Sequence, residues 1–207
     1  MSATAKPIVS IIHGARRIGE RASDTPSWPH DLAQHLTNQG FITVPFFWDG
    51  SVRSGLSTHL AQSYARVLAD LTSTHPHRSL SIFGKSIGAI IAEMALRHIT
   101  KETAVPLKVH SLVRVGCPDL RVPAIPGAQR VFDVRSTGDG LFKATCLPLT
   151  MANSVLMHKR LGAPNTYQRF VLGGLAHREL NRNLTLRGLP LSSATLFEVY
   201  EKLLSSD

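Results

Sequence analysis

The stretch Ser79 to Arg97, SLSIFGKSIGAIIAEMALR, constrains this chain more than any other. A short apolar run, Leu80 to Phe83, meets Gly84-Lys85-Ser86-Ile87-Gly88, and an apolar-periodic run from Ala89 to Leu96 follows at once. The pattern predicts a strand, a tight turn and a helix, with Ser86 at the apex. A strand that turns straight into a helix crowds its own backbone. Glycines at the two flanking positions relieve that crowding because they carry no Cβ. Ser86 is then expected to point its hydroxyl out at the carboxyl edge of a sheet, beside the free N–H groups of a helix N-terminus. With 15 glycines in 207 residues, chance gives about 0.1 G-x-S-x-G matches per chain, so the five residues alone are a weak signal. The strand before them and the helix after them carry the inference.

A chain of 207 residues with 43% hydrophobic content supports one sizeable core, and residues 1–207 are expected to form a single domain. Charged residues make up 18%, which excludes a disordered composition. The net charge of +9 favours anionic partners such as phosphate-bearing substrates, nucleic acid or an anionic membrane surface. The basic residues are scattered, with no run of five or more. A solubilising surface bias is therefore the preferred reading, and nucleic acid is not an expected partner. Cys117 and Cys146 match no C-x-x-C metal or redox pattern, and whether they pair is left open. The N-terminal MSATAKPIVSIIHG lacks the apolar core and cleavage site of a signal peptide. No apolar run approaches the roughly 18 residues of a membrane span. A soluble, cytoplasmic protein is the expectation, and nothing in the sequence sets its oligomeric state.

Strand and helix signals alternate along the whole chain. Pro7 to His13 reads as a buried strand closed by Gly14. His30 to Gln39 reads as a helix ended by Gly40, and Phe41 to Phe47 as a strand in which Pro45 points to a bulge or an edge position. Gly55 to Thr72 has helical apolar spacing. After the central unit come strands at Lys108 to Val115, Arg130 to Val134 and Gln168 to Leu172. A final helix, Ser193 to Leu204, is expected to be capped by its serine. Parallel strands need crossover helices, so the fold class is α/β: a three-layer sandwich around a mostly parallel sheet of about six strands.

Chemistry in such a sheet gathers at the carboxyl ends of the strands. His13-Gly14-Ala15 follows the first strand, Ser86 the central one, Asp139 the fifth and His177 the last. The motifs H-G at 13–14, G-K-S-I-G at 84–88, S-T-G-D at 136–139 and G-L-A-H at 174–177 thus put Ser, Asp and His in that chain order. This order and these motifs resemble the α/β-hydrolase family, and more narrowly its small esterase/lipase-like members with little or no lid. The resemblance spans positions 13 to 177. It implies a minimal six-stranded core without the two N-terminal strands of larger members.

The resemblance implies a serine hydrolase. Ser86 would be the nucleophile, His177 the base and then the acid, and Asp139 the group that orients the imidazole. Backbone N–H groups of Ala15 and Ile87 would hold the oxyanion. The expected substrate is a small-molecule or lipid carboxylic ester, and the mechanism needs neither a cofactor nor a metal. Three departures stand out: Lys85 precedes the nucleophile, the oxyanion loop is H-G-A and not H-G-G-G, and no insertion is long enough for a large cap. Asp119, after the preceding strand, competes with Asp139 for the acid role, and Asp133 is ranked last because alternation turns it into the core or the helix layer. His13 is expected to be structural. Arg16 and Lys85 are candidates for an anionic substrate group, beside the readings that the arginines 16 and 17 are solvated and that Lys85 points to solvent or a nearby carbonyl. Leu141 and Phe142 open an apolar stretch, Leu141 to Met157, that would either line an acyl pocket or form an ordinary crossover helix. Two rivals remain: a non-catalytic or anion-partner-binding protein on the same fold, and an acyltransferase or thioesterase using the same acyl-enzyme.

Overall fold

Ile8–Ile12 (β1) is buried on every residue, as a strand in the middle of a parallel sheet must be. Its alternate side chains go to opposite faces, Val9 and Ile11 to one apolar core and Ile8 and Ile12 to the other. The computed structural model describes residues 6–15, 26–51, 54, 56–102, 107–118, 125–140, 167–186 and 195–205. In these residues the element order is β1, Trp28–Asn38 (α1), Ile42–Phe46 (β2), Thr58–Thr74 (α2), Leu80–Lys85 (β3), Ile87–Glu102 (α3), Val109–Val115 (β4), Ala128–Ser136 (β5), Tyr167–Leu172 (β6), a short 3-10 turn at Glu179–Asn181 and Leu196–Ser205 (α4).

All six strands are parallel, in the order β2-β1-β3-β4-β5-β6. Leu32 and Leu36 of α1 and Leu196 and Tyr200 of α4 pack on one face. Tyr64 and Leu68 of α2 and Ile91 and Leu96 of α3 pack on the other. The sheet is therefore the middle of three layers. Strand order reverses between β1 and β3, so a crevice opens where their carboxyl ends diverge. Among the described residues no helix is long and apolar enough to cross a membrane.

Local chemistry explains the element ends. α1 starts two residues before His30, with proline in its first turn, and closes in a Schellman motif: Phe41 N–H donates to the Leu36 carbonyl at 3.2 Å and Gly40 N–H to the Thr37 carbonyl at 2.9 Å. Gly40 sits at φ 87°, which a side chain would resist. Pro45 lies in an outer strand and pairs in register with Ile11, so it marks an edge and not a bulge. Ser193, the expected cap of the last helix, lies outside the described residues. The cap observed is a box formed two residues later, in which Thr195 N–H donates to Glu198 Oε2 at 2.7 Å and Glu198 N–H to Thr195 Oγ1 at 3.3 Å.

The face covered by α2 and α3 carries buried charge that alternation alone does not announce. Register aligns Gly84, Arg114, Asp133 and Arg169 in one row across β3 to β6. Arg114 Nε lies 2.7 Å from Glu93 Oε1 of α3. Asp133 Oδ2 accepts from Arg135 Nε at 2.7 Å, Tyr167 OH at 2.9 Å and Arg169 Nε at 3.2 Å. A buried ion pair contributes little net stability while intact, but losing one partner strands the other charge. Glu93→Leu is therefore expected to cost about 3–5 kcal/mol in urea unfolding, and the double variant Glu93→Leu/Arg114→Met to recover most of it. A single variant within about 1 kcal/mol of the wild type would contradict this account of the pair.

Candidate active site

The backbone crosses itself tightly around Ser86. β3 ends at Lys85, α3 begins at Ile87, and Ser86 between them is held at φ 52°, the only positive φ on a non-glycine among the described residues. Strain of this kind costs about 1–3 kcal/mol and persists only where the surroundings over-determine it. Here Ser86 N–H extends the ladder to the Val115 carbonyl at 2.8 Å, and its own carbonyl accepts the first helical bond from Ala89 N–H at 3.1 Å. Neighbouring glycines make the crossing possible. A Cβ on Gly14 would stand 2.8 Å from Ser86 Cβ, and one on Gly84 2.7 Å from Ala89 Cα. A Cβ on Gly88 would collide with the His13 carbonyl and stand 2.6 Å from that of Ile12. Gly84 and Gly88 thus do the work expected of the flanking glycines, and Gly14 is a third that the crossing requires.

The loop after β1 is fixed by His13. Its Nδ1–H donates to the Gly14 carbonyl at 2.7 Å, and its Nε2 accepts Trp48 N–H at 3.2 Å. These partners define the tautomer, since a carbonyl accepts and an amide donates. Trp48 returns a bond from its indole N–H to the His13 carbonyl at 3.0 Å and stacks on the imidazole at 5.3 Å. Both ring nitrogens are occupied, so His13 is structural. Ala15 follows this pinned segment, and Ile87 opens α3, where first-turn N–H groups have no partner within the helix.

On the other side of Ser86, His177 Nδ1 lies 2.6 Å from Asp139 Oδ2. Asp139 is buried, His177 is partly exposed, and a carboxylate only accepts, so the proton belongs on Nδ1. The loops that carry the two are stitched together. Thr137 N–H donates to the Leu172 carbonyl at 3.0 Å, Gly174 N–H to Thr137 Oγ1 at 3.0 Å, and Gly138 packs against the Gly174 carbonyl. Glu179 Oε2 accepts Ala176 N–H at 2.6 Å, and Tyr200 OH donates to the Leu180 carbonyl at 2.7 Å. Burial raises the Tyr200 pKa well above its ordinary value, so the phenol stays a donor. Its ring also meets Phe83 of β3 edge-on at 4.8 Å, three residues before Ser86.

Gly116 links the two halves. It follows Val115, whose carbonyl holds Ser86, and it sits at φ 56°. A Cβ there would stand 2.9 Å from His177 Cε1 and 3.3 Å from Asp139 Oδ2. Ser86, Asp139 and His177 therefore come to one sheet edge around the end of β4. Among the described residues no hydrogen bond joins Ser86 to His177. In the sequence Gly116 is only the glycine that follows the strand Lys108 to Val115 and ends it. Its second task, making room for the imidazole, was readable from a glycine placed at the end of the strand beside the central one. Tyr200 and Glu179 left no comparable signal, because the roles of their polar atoms depend on contacts made in the folded chain.

Other expectations are revised or fall elsewhere. Lys85 is 6% exposed and makes contacts within the fold, so it does not point to solvent. Alternation along β3 puts it on the side of Phe83, toward α1 and α4. Asp133 is buried on the opposite face, among guanidinium groups. Cys117 is a free, buried thiol that accepts a bond from Arg114 Nη2 at 3.1 Å. Burial pushes its pKa up, which keeps it protonated at neutral pH. Arg16, Arg17, Asp119, Leu141, Phe142 and Cys146 lie outside the described residues.

No protein-family model and no curated protein matches the sequence. Solved structures do match. A gene product of Listeria innocua aligns over 98% of this chain and 95% of its own, at 14% identity and a TM-score of 0.61. A lid-less α/β serine hydrolase of Xanthomonas campestris aligns over 86% and 76%, at 14% identity and a TM-score of 0.54. An esterase of Pyrobaculum calidifontis aligns over 87% and 71%, at 12% identity and a TM-score of 0.56. With the six-stranded parallel sheet, these likenesses show that the chain has the α/β-hydrolase fold.

The crossing at Gly88 yields a sign reversal that can be measured. Glycine to alanine inside a helix ordinarily gains about 0.5–1 kcal/mol. Gly88→Ala should instead lose about 2 kcal/mol or more in urea unfolding, because the methyl pushes β1 away from α3. A gain in stability would show that the crossing is looser than described.

Proposed function

We propose that this protein is a serine hydrolase that cleaves carboxylic esters through an acyl-enzyme on Ser86. The observation that carries the reading is the 2.6 Å Asp139–His177 pair, packed on Gly116 beside a serine held at positive φ. With Nδ1–H donated to Asp139, the other imidazole nitrogen is left as the base. Ser86 Oγ attacks the ester carbonyl carbon as His177 Nε2 takes its proton. The carbonyl electrons move onto oxygen, and the N–H groups of Ala15 and Ile87 are the proposed donors to that oxyanion. Collapse of the intermediate breaks the bond to the alcohol oxygen, which leaves with the proton from His177. Water then enters by the same route in reverse order and frees the acid. Asp139, buried and bonded to one nitrogen, keeps the imidazole in this tautomer and stabilises its charged form. No cofactor or metal enters any step. The fold likeness to a lid-less serine hydrolase and to an esterase supports the class of reaction, while the choice of an ester rests on analogy with such proteins.

Steady-state hydrolysis of p-nitrophenyl butyrate tests the roles. Ser86→Ala and His177→Ala should each lower kcat by about 10⁴-fold or more, and Asp139→Asn by about 10²–10⁴-fold. A Ser86→Ala protein as active as the wild type would end the reading. Transfer of the acyl group to an added alcohol in preference to water would redirect it to an acyltransferase.

A further inference from the structure

Among the described residues three large hydrophobic side chains stand exposed: Phe47 at 37%, Leu56 at 52% and Val171 at 56%. Phe47 follows β2 directly, and Leu56 lies two residues before α2, so both belong to the connection at the carboxyl edge of the β2 side. Val171 sits in β6, at the far margin of the sheet. A chain of contacts joins Phe47 to Ser86. Its ring stacks on His30 at 4.8 Å and lies 5.8 Å from the His13 ring. His13 holds the Gly14 carbonyl, and Gly14 lies against Ser86.

We propose that Phe47 and Leu56 form the subsite for the acyl chain of the substrate, and that the preferred ester carries an apolar acyl group longer than acetyl. The inference rests on the serine-hydrolase reading above and deepens it. Its direction comes from the strand order. The leaving oxygen must take its proton from His177, which stands at the β4 to β6 side of Ser86. The acyl chain then extends the other way, over Gly14 toward β1 and β2, where the exposed ring stands. An aromatic face in water gains from covering by methylenes. Two exposed side chains fall short of a protein interface, which buries on the order of 1,000 Å². A substrate chain fits that scale.

The test uses p-nitrophenyl acetate, butyrate and hexanoate below their solubility limits, so that the leaving group stays constant and only the acyl chain varies. A fully buried methylene is worth about fourfold in binding, so a half-exposed ring should give about twofold per methylene. The wild-type kcat/KM should therefore rise about 15-fold over the four methylenes from acetate to hexanoate. Phe47→Ala and Leu56→Ser should each lower the hexanoate-to-acetate ratio severalfold, while Val171→Ser keeps the wild-type ratio. Leu56→Ser keeps the test decisive if the loss of the His30 stack unfolds the Phe47 variant, because Leu56 is half in solvent. Equal ratios in the wild type and both variants would overturn the subsite while leaving the hydrolase reading intact. Repeating the series above those limits gives the other overturning result, a chain-length gain seen only there, which would indicate a lipid surface as the occupant. A wild type that turns over none of the three esters would overturn the hydrolase reading, and the subsite with it.

Discussion

The close approach of the β1 carboxyl end to the start of α3 governs the rest of the molecule. Gly88 lets the helix ride on the Ile12 and His13 carbonyls, and Gly14 lets the next loop touch Ser86. At this separation the chain between β3 and α3 has one path, and it forces Ser86 to φ 52°. The same approach sets Gly14 against Ser86, and the residues that follow them, Ala15 and Ile87, are the proposed oxyanion donors. A wider crossing would relax the serine and part the donors in one movement. The strain is held in place by the ladder bond to Val115 and by the apolar packing of β1 and β3, both buried along their length.

Asp139 and His177 arrive by a different route, from the far side of the sheet. Their loops are tied to each other through Thr137, Gly174 and Leu172, and to the last helix through Tyr200. Tyr200 also touches Phe83 in the central strand, so one buried side chain relates the histidine loop to the strand that carries the serine. The charged row under α3 serves another end. Arg114 is paired to Glu93 and bonded to Cys117, which joins the helix after the serine to the turn beneath the histidine. Positioning is thus shared between an apolar face under α1 and α4 and a charged face under α2 and α3.

The parts of this arrangement that depend on local pattern were legible in the sequence. Six strands, their parallel sense, the turn at Ser86 and the placing of Asp139 and His177 after β5 and β6 all follow from runs of apolar residues and their terminators. What escaped was set by partners distant in the chain. Lys85 reads as a surface residue because lysine seldom is buried, yet it completes a strand with no exposed position. Arg114 and Asp133 sit in strands otherwise rich in valine, and only register shows that they are neighbours. The start of the last helix was misplaced because Ser193 and Thr195 are equally good caps in isolation, and Glu198 decides between them.

The central claim is that Ser86 is a nucleophile made reactive by the His177–Asp139 pair. Its most direct test is to incubate the protein with a fluorophosphonate and locate the adduct by peptide mass spectrometry, because such a reagent needs an activated hydroxyl and no particular acyl group. The account predicts a single adduct, on Ser86, whose formation slows sharply when His177 is alanine. A wild-type protein that stays unmodified, or one modified elsewhere with Ser86 free, would contradict it.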